Sequence, residues 1–129
     1  MDKLESILLK CWSIKTSSKW TSANPYLGQC GVTALVVYEL FGGQILKTRI
    51  NNQWHYYNSI NSIRYDFTQK QFGLELCYSD ISSNCEEDFT DTNEEQFIEL
   101  KSKFSQLLNG QAEKKTSLIP QQKTNIFRL

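Results

Sequence analysis

The sequence predicts an α+β domain in which a central helix starting at Cys30 packs on a small antiparallel sheet, with an N-terminal and a C-terminal helix beside it. Three observations carry that expectation. Gly31 to Phe41 (GVTALVVYELF) is apolar nearly all round and stops at Gly42-Gly43, which supply a left-handed C-terminal cap. Three strand-like segments then follow, separated by Asn51-Asn52 and Asn61-Ser62, where Asn tolerates the positive φ of tight hairpin turns. Finally, Thr92 with Glu95 forms a capping box ahead of an apolar stripe of Phe97, Leu100, Phe104, Leu107 and Leu108, with Gly110 as its stop.

Taking the elements in order, Leu4, Ile7, Leu8, Cys11 and Trp12 recur at helical spacing. No basic start, long apolar run or small-residue cleavage site marks the segment as a leader, so it is expected to be a helix of the mature protein. Ser13 to Gln29 is polar and holds Pro25 and Gly28, which reads as a loop delivering the chain to Cys30. The β-branched residues Val32, Thr33, Val36 and Val37 make a buried strand the competing reading of the next segment. Its length and closing glycine pair favour a helix. The strands are expected at Gln44 to Ile50, Gln53 to Ile60 and Ile63 to Thr68, with Phe72 to Tyr78 as a further candidate and Ser79 to Asp91 as loop. The domain is expected to span residues 1–110, and residues 111–129, rich in Gln, Lys and Thr, to form a mobile or loosely docked tail.

The composition narrows the function classes. The 129-residue chain has 14 basic and 14 acidic residues and a formal net charge of zero. Nothing in that balance provides the general attraction of a nucleic-acid or anionic-membrane binder. No stretch approaches the roughly 18 apolar residues of a membrane span. Cys11, Cys30, Cys77 and Cys85 include no C-x-x-C pair, and without a secretion signal they are expected to be reduced, in a cytoplasmic protein with no metal and no cofactor. The six carboxylates between Glu86 and Glu95 read as a solvated loop and helix start, with a docking surface for a basic partner as the alternative.

One constellation can carry chemistry. A thiol attacks as the thiolate, and a cysteine with a pKa of about 8.5 is commonly helped to ionise by a helix N-terminus and a neighbouring imidazole. Cys30 stands at the expected helix start, and His55 is the sole histidine. The bland reading of His55 is packing among Trp54, Tyr56 and Tyr57. If Asn61-Ser62 is a two-residue turn, Ile60 faces Ile63, Tyr57 faces Asp66 and His55 faces Thr68. His55, Tyr57, Arg64, Asp66 and Thr68 then share one sheet face, with His55 and Asp66 as diagonal neighbours at about 7 to 8 Å along the backbone, close enough for their side chains to bond. A three-residue turn would place them on opposite faces. The bland reading of Asp66 is a surface carboxylate paired with Arg64 or a lysine.

The strings Pro25-Tyr26-Leu27-Gly28-Gln29-Cys30-Gly31-Val32-Thr33-Ala34-Leu35, Phe41-Gly42-Gly43, His55-Tyr56-Tyr57-Asn58 and Asp66 to Phe72 (DFTQKQF) resemble the YunG-like family of small bacterial proteins. This resemblance covers about residues 11 to 72 and names no reaction. The order Cys at a helix start, then His, then Asp is also similar to that of the papain-like and transglutaminase-like superfamily. It implies thiol-dependent acyl-group chemistry at an amide, isopeptide or side-chain carboxamide, with Cys30 as nucleophile, His55 as base and Asp66 orienting the imidazole. Gln29 departs from the papain-like pattern, because it adjoins the cysteine instead of preceding it by several residues. It is left as a substrate or oxyanion candidate beside Trp54, Tyr57 and Thr68, with bracing of the loop as its other role. Thr68 and Gln71 either line the site or hold the strand end. The implied partner is a peptide or protein substrate, or a small amide. The alternative is a non-catalytic binding or inhibitor module on the same fold.

Overall fold

A computed structural model describes residues 2–114. Helix α1 (Asp2–Cys11) leads into the long polar loop, which ends at helix α2 (Cys30–Phe41). Strands β1 (Gln44–Ile50), β2 (Gln53–Ile60) and β3 (Ile63–Tyr65) follow as a meander, and a 3-10 turn covers Gln69–Phe72. Strand β4 (Ile81–Ser82), helix α3 (Cys85–Phe89) and helix α4 (Glu94–Lys114) complete the order. The antiparallel sheet runs β3-β2-β1-β4.

The helix reading of residues 31–41 holds because α2 is buried on both sides. Val32, Val36, Val37 and Leu40 pack against Ile7 and Leu8 of α1 and Leu100 and Phe104 of α4. Ala34 and Leu35 pack against Ile45 and Tyr56 of the sheet. The chain leaves the helix at Gly42, whose φ of +76° turns its N–H back onto Tyr38 O at 2.8 Å. Asn58 Nδ2 donates to Ala34 O at 3.0 Å and ties β2 to the helix above it.

Both hairpins turn in two residues. Asn51 and Asn52 have φ of +50° and +65°, and Asn61 and Ser62 +53° and +66°, so all four central positions are left-handed. Ile60 pairs with Ile63 and Asn58 with Tyr65, the register that puts His55 and Asp66 on one face.

Several expectations need correction. Strand β3 stops at Tyr65, because the chain turns at Phe67 and Thr68 into the 3-10 segment, so His55 and Thr68 are not paired across a ladder. Residues 73–80 are irregular, since their backbone groups bond side chains of the sheet in place of a strand partner. The acidic stretch is not all loop: Asn84 Oδ1 accepts from Glu87 N at 2.8 Å and caps α3. The cap of α4 falls on Asn93, whose Oδ1 accepts from Gln96 N at 2.9 Å, one residue later than the expected box. Gly110 does not end α4, which continues to Lys114 and so crosses the expected domain boundary. The rest of the expected tail lies outside the described residues. Leu107 of the expected stripe is exposed, while Leu100, Phe104 and Leu108 are buried.

Candidate functional site

Successive residues of β2 point to opposite sides of the sheet. Tyr56 and Asn58 face α2, whereas His55 and Tyr57 face the segment 66–80, which covers them. His55 is 1% exposed; its ring meets the edge of Phe72 with centroids 4.9 Å apart and stacks on Tyr57 at 5.9 Å. Its Nε2 lies 2.7 Å from Asp66 Oδ2, so the sole histidine and the carboxylate form a buried pair. An ionised Asp66 accepts only, which assigns the proton to Nε2 and leaves Nδ1 as the acceptor nitrogen. That Nδ1 is buried and has no hydrogen-bond partner among the described residues.

Asp66 is held as closely as the imidazole. Tyr78 OH donates to its Oδ2 at 2.8 Å, and Thr68 donates to its Oδ1 through N at 3.3 Å and Oγ1 at 3.5 Å. Thr68 therefore fixes Asp66 and does not line the cavity described below; Gln71 Nε2 donates to the Thr68 hydroxyl at 3.2 Å. Tyr57 is likewise behind the histidine, with its phenol donating to Asp80 Oδ1 at 2.8 Å.

Cys30 opens α2 after a loop that its own side chains stabilise. Gln29 is fully buried, accepts from Thr16 Oγ1 at 2.8 Å and does not line the cavity, and its Nε2 has no partner among the described residues. A cavity of about 210 Å³ lies where the α2 N-terminus meets the β1–β2 hairpin end of the sheet. Cys30, His55, Trp54, Lys19, Asp91 and Gln96 contribute to its wall. Lys47 Nζ and the Arg49 guanidinium stand 4.1 and 4.8 Å from the ring centroid of Trp54.

The structure thus brings Cys30 and His55 to one cavity and joins His55 to Asp66, but it does not join the thiol to the imidazole. The thiol instead donates to Asp91 Oδ2 at 3.6 Å. The same oxygen accepts from Gly31 N at 3.1 Å and supplies the cap that Gln29 does not give. A Cβ on residue 31 would overlap this carboxylate, so glycine there allows the close approach. Burial pushes the Cys30 thiol far above the ordinary range, and the Asp91 carboxylate adds to the rise. Desolvation of the Asp91 carboxyl group against α2 pushes its own pKa up, although the residue is otherwise exposed.

Asp88 of α3, like Asp91 and Tyr78, is a residue that the sequence pattern does not single out. It is 0% exposed, neither carboxyl oxygen has a partner among the described residues, and desolvation pushes it up to about 9. That shift favours the neutral acid at neutral pH. Among the described residues no cluster of three or more His, Cys, Asp or Glu side chains is placed to hold a metal ion. All four cysteines are free, and no described helix is long and apolar enough to cross a membrane.

The profile of the YunG protein family matches residues 1–109. This chain belongs to the YunG family. A YunG relative described as "Uncharacterized protein YunG", from Bacillus subtilis (strain 168), is 50% identical over 113 residues, which is 88% of this chain and 98% of the relative. The YunG match reaches from α1 into α4 and so includes Cys30, His55, Asp66, Tyr78 and Asp91. No solved structure matches the chain.

Proposed function

We propose that this protein performs thiol-dependent acyl-group chemistry on a papain-like or transglutaminase-like core, with a peptide, protein or small amide as substrate. The observation that carries this reading is the buried His55–Asp66 bond, which leaves His55 Nδ1 without a partner among the described residues while His55 and Cys30 line one cavity. A base oriented by a carboxylate and a thiol at a helix start are the parts that nucleophilic acyl transfer needs.

In this reading His55 Nδ1 takes the thiol proton, and Cys30 Sγ bonds to the acyl carbon. The amine leaves with that proton as its C–N bond breaks, and water or a second amine then displaces the thiol from the thioester. Asp66 stays ionised and stabilises the imidazolium. The step requires the thiol to exchange its Asp91 partner for His55. The four free thiols support a reducing compartment, and we place the protein in the cytoplasm.

A second reading, a binding or inhibitor module, has the Cys30–Asp91 contact in its favour. As it stands the thiol is held neutral, and the carboxylate occupies the helix N-terminus. Alkylation of Cys30 by iodoacetamide across pH decides between the two readings. The enzyme alkylates at Cys30 near neutral pH with a rate that falls about tenfold or more in His55→Ala, as expected for loss of an activating base. A Cys30 that stays unreactive until strongly alkaline pH, with no response to His55→Ala, removes the catalytic reading and leaves the binding module.

A further inference from the structure

We propose that Tyr78 is a positioning residue for the His55–Asp66 pair, its phenol sharing Asp66 Oδ2 with the imidazole and so setting how strongly and in which direction that carboxylate holds His55. The assignment rests on reading His55 as the base of the site.

The two donors meet one oxygen, with Tyr78 OH at 2.8 Å and His55 Nε2 at 2.7 Å. A carboxylate oxygen offers two lone-pair directions, so these bonds fill Oδ2 while Thr68 holds Oδ1. The carboxylate plane is then fixed from both ends. Among the described residues the only other bond of the Tyr78 hydroxyl is a long one, 3.5 Å to Gln69 Oε1.

Tyr78 lies in the irregular segment between the 3-10 turn and β4, yet that segment is fastened where it carries the ring. Thr48 Oγ1 donates to Cys77 O at 3.2 Å and accepts from Ser79 N at 2.9 Å. Asp80 N donates to Tyr57 OH at 2.8 Å, and the Asp80 carboxylate accepts from Arg64 at 3.0 and 2.5 Å. Arg64 also stands 4.2 Å above the Tyr78 ring, whose centroid is 4.9 Å from that of Tyr57. The bonds on either side of Tyr78 leave its phenol little choice of acceptor.

Each donor on a carboxylate withdraws charge from the others. Removing the phenol hydroxyl should therefore strengthen the His55–Asp66 bond while leaving the aromatic packing in place. The titratable groups around His55 are Asp66 by direct hydrogen bond, Tyr78 through the shared Asp66 oxygen, Tyr57 by stacking, and Cys30, Asp91 and Lys19 around the cavity.

The test is ¹⁵N NMR of the full chain, in which the sole histidine gives one imidazole spin system. In Tyr78→Phe the Nε2-bound proton is expected to move downfield, and the movement should vanish when the same change is made in an Asp66→Asn background. An unmoved resonance, an upfield movement, or a movement that persists in Asp66→Asn overturns the assignment. If Tyr78→Phe does not fold, 3-fluorotyrosine at position 78 alone, a stronger donor, is expected to move the proton upfield, and no movement overturns the assignment. The NMR result decides Tyr78 whichever way the alkylation assay falls, so failure of the positioning claim and failure of the catalytic reading are told apart.

Discussion

The two faces of β2 are built on different principles. Toward α2, Tyr56 joins Ala34, Leu35 and Ile45 in an apolar layer, and the Asn58 side chain bonds Ala34 O across it. On the other face His55 and Tyr57 lie under an irregular segment held by polar contacts through Asp66, Tyr78 and Asp80. Apolar packing tolerates many arrangements of similar volume, whereas a buried polar network fails when one member loses its partner. The candidate catalytic groups come from both constructions: Cys30 belongs to the apolar side, and His55 and Asp66 to the polar one.

The largest effect should follow from breaking the polar side at its centre. Asp66→Ala leaves His55 Nε2, Tyr78 OH and Thr68 N without their acceptor and is expected to cost about 3–5 kcal/mol, measured by chemical denaturation. A loss below about 1 kcal/mol would show that water or a neighbouring group takes over, and that the network is less interdependent than its bonds imply. On the apolar side Ile45→Ala is expected to cost about 2–4 kcal/mol in the same measurement. That loss should add to the effect of Tyr78→Phe, because the two side chains share no partner; strong coupling between them would blur the distinction between the faces.

Asp88 sharpens the comparison, because it is an unpartnered carboxyl on the α2 side. Its native pKa of about 9 lies above the ordinary value, so the folded state binds the extra proton and the unfolded state releases it. Stability should therefore decline as pH rises from about 4 to about 9, with a slope on the order of 1 kcal/mol per pH unit from this one group, and level off above that range. Asp88→Asn cannot ionise and should flatten the profile in that window. An unchanged profile would mean that Asp88 ionises in the folded protein.

How much of this was legible in the sequence follows the same division. Asn51-Asn52 and Asn61-Ser62 announce two-residue turns through residue chemistry, and from those turns the register and the His55–Asp66 juxtaposition follow by alternation. The glycine pair after Phe41 marks the end of α2 in the same local way. Asp91, Asp88 and Tyr78 carry no comparable signal. Asp91 reaches Cys30 across 61 positions from a segment whose composition reads as loop, and Tyr78 reaches Asp66 across 12 from the end of a segment that reads as a strand. Within the acidic run, nothing separates buried Asp88 from exposed Glu86, because only tertiary placement distinguishes them. Asn84 with Glu87 is the exception, a short-range cap that would have revealed α3.

The brevity of the outer strands has a consequence for how the molecule meets its own copies. The sheet ends in a three-residue strand on one side and a two-residue strand on the other. Each offers few unpaired N–H and C=O groups to a neighbouring chain, and the charged Arg64 stands on the outer strand at one end. Between Cys77 and Ser83 the chain also bonds the outer edge of β1, at Thr48 and at Ile45 O, where a longer exposed edge would invite pairing. The stretch that delivers Tyr78 to Asp66 therefore doubles as a guard against edge-to-edge aggregation.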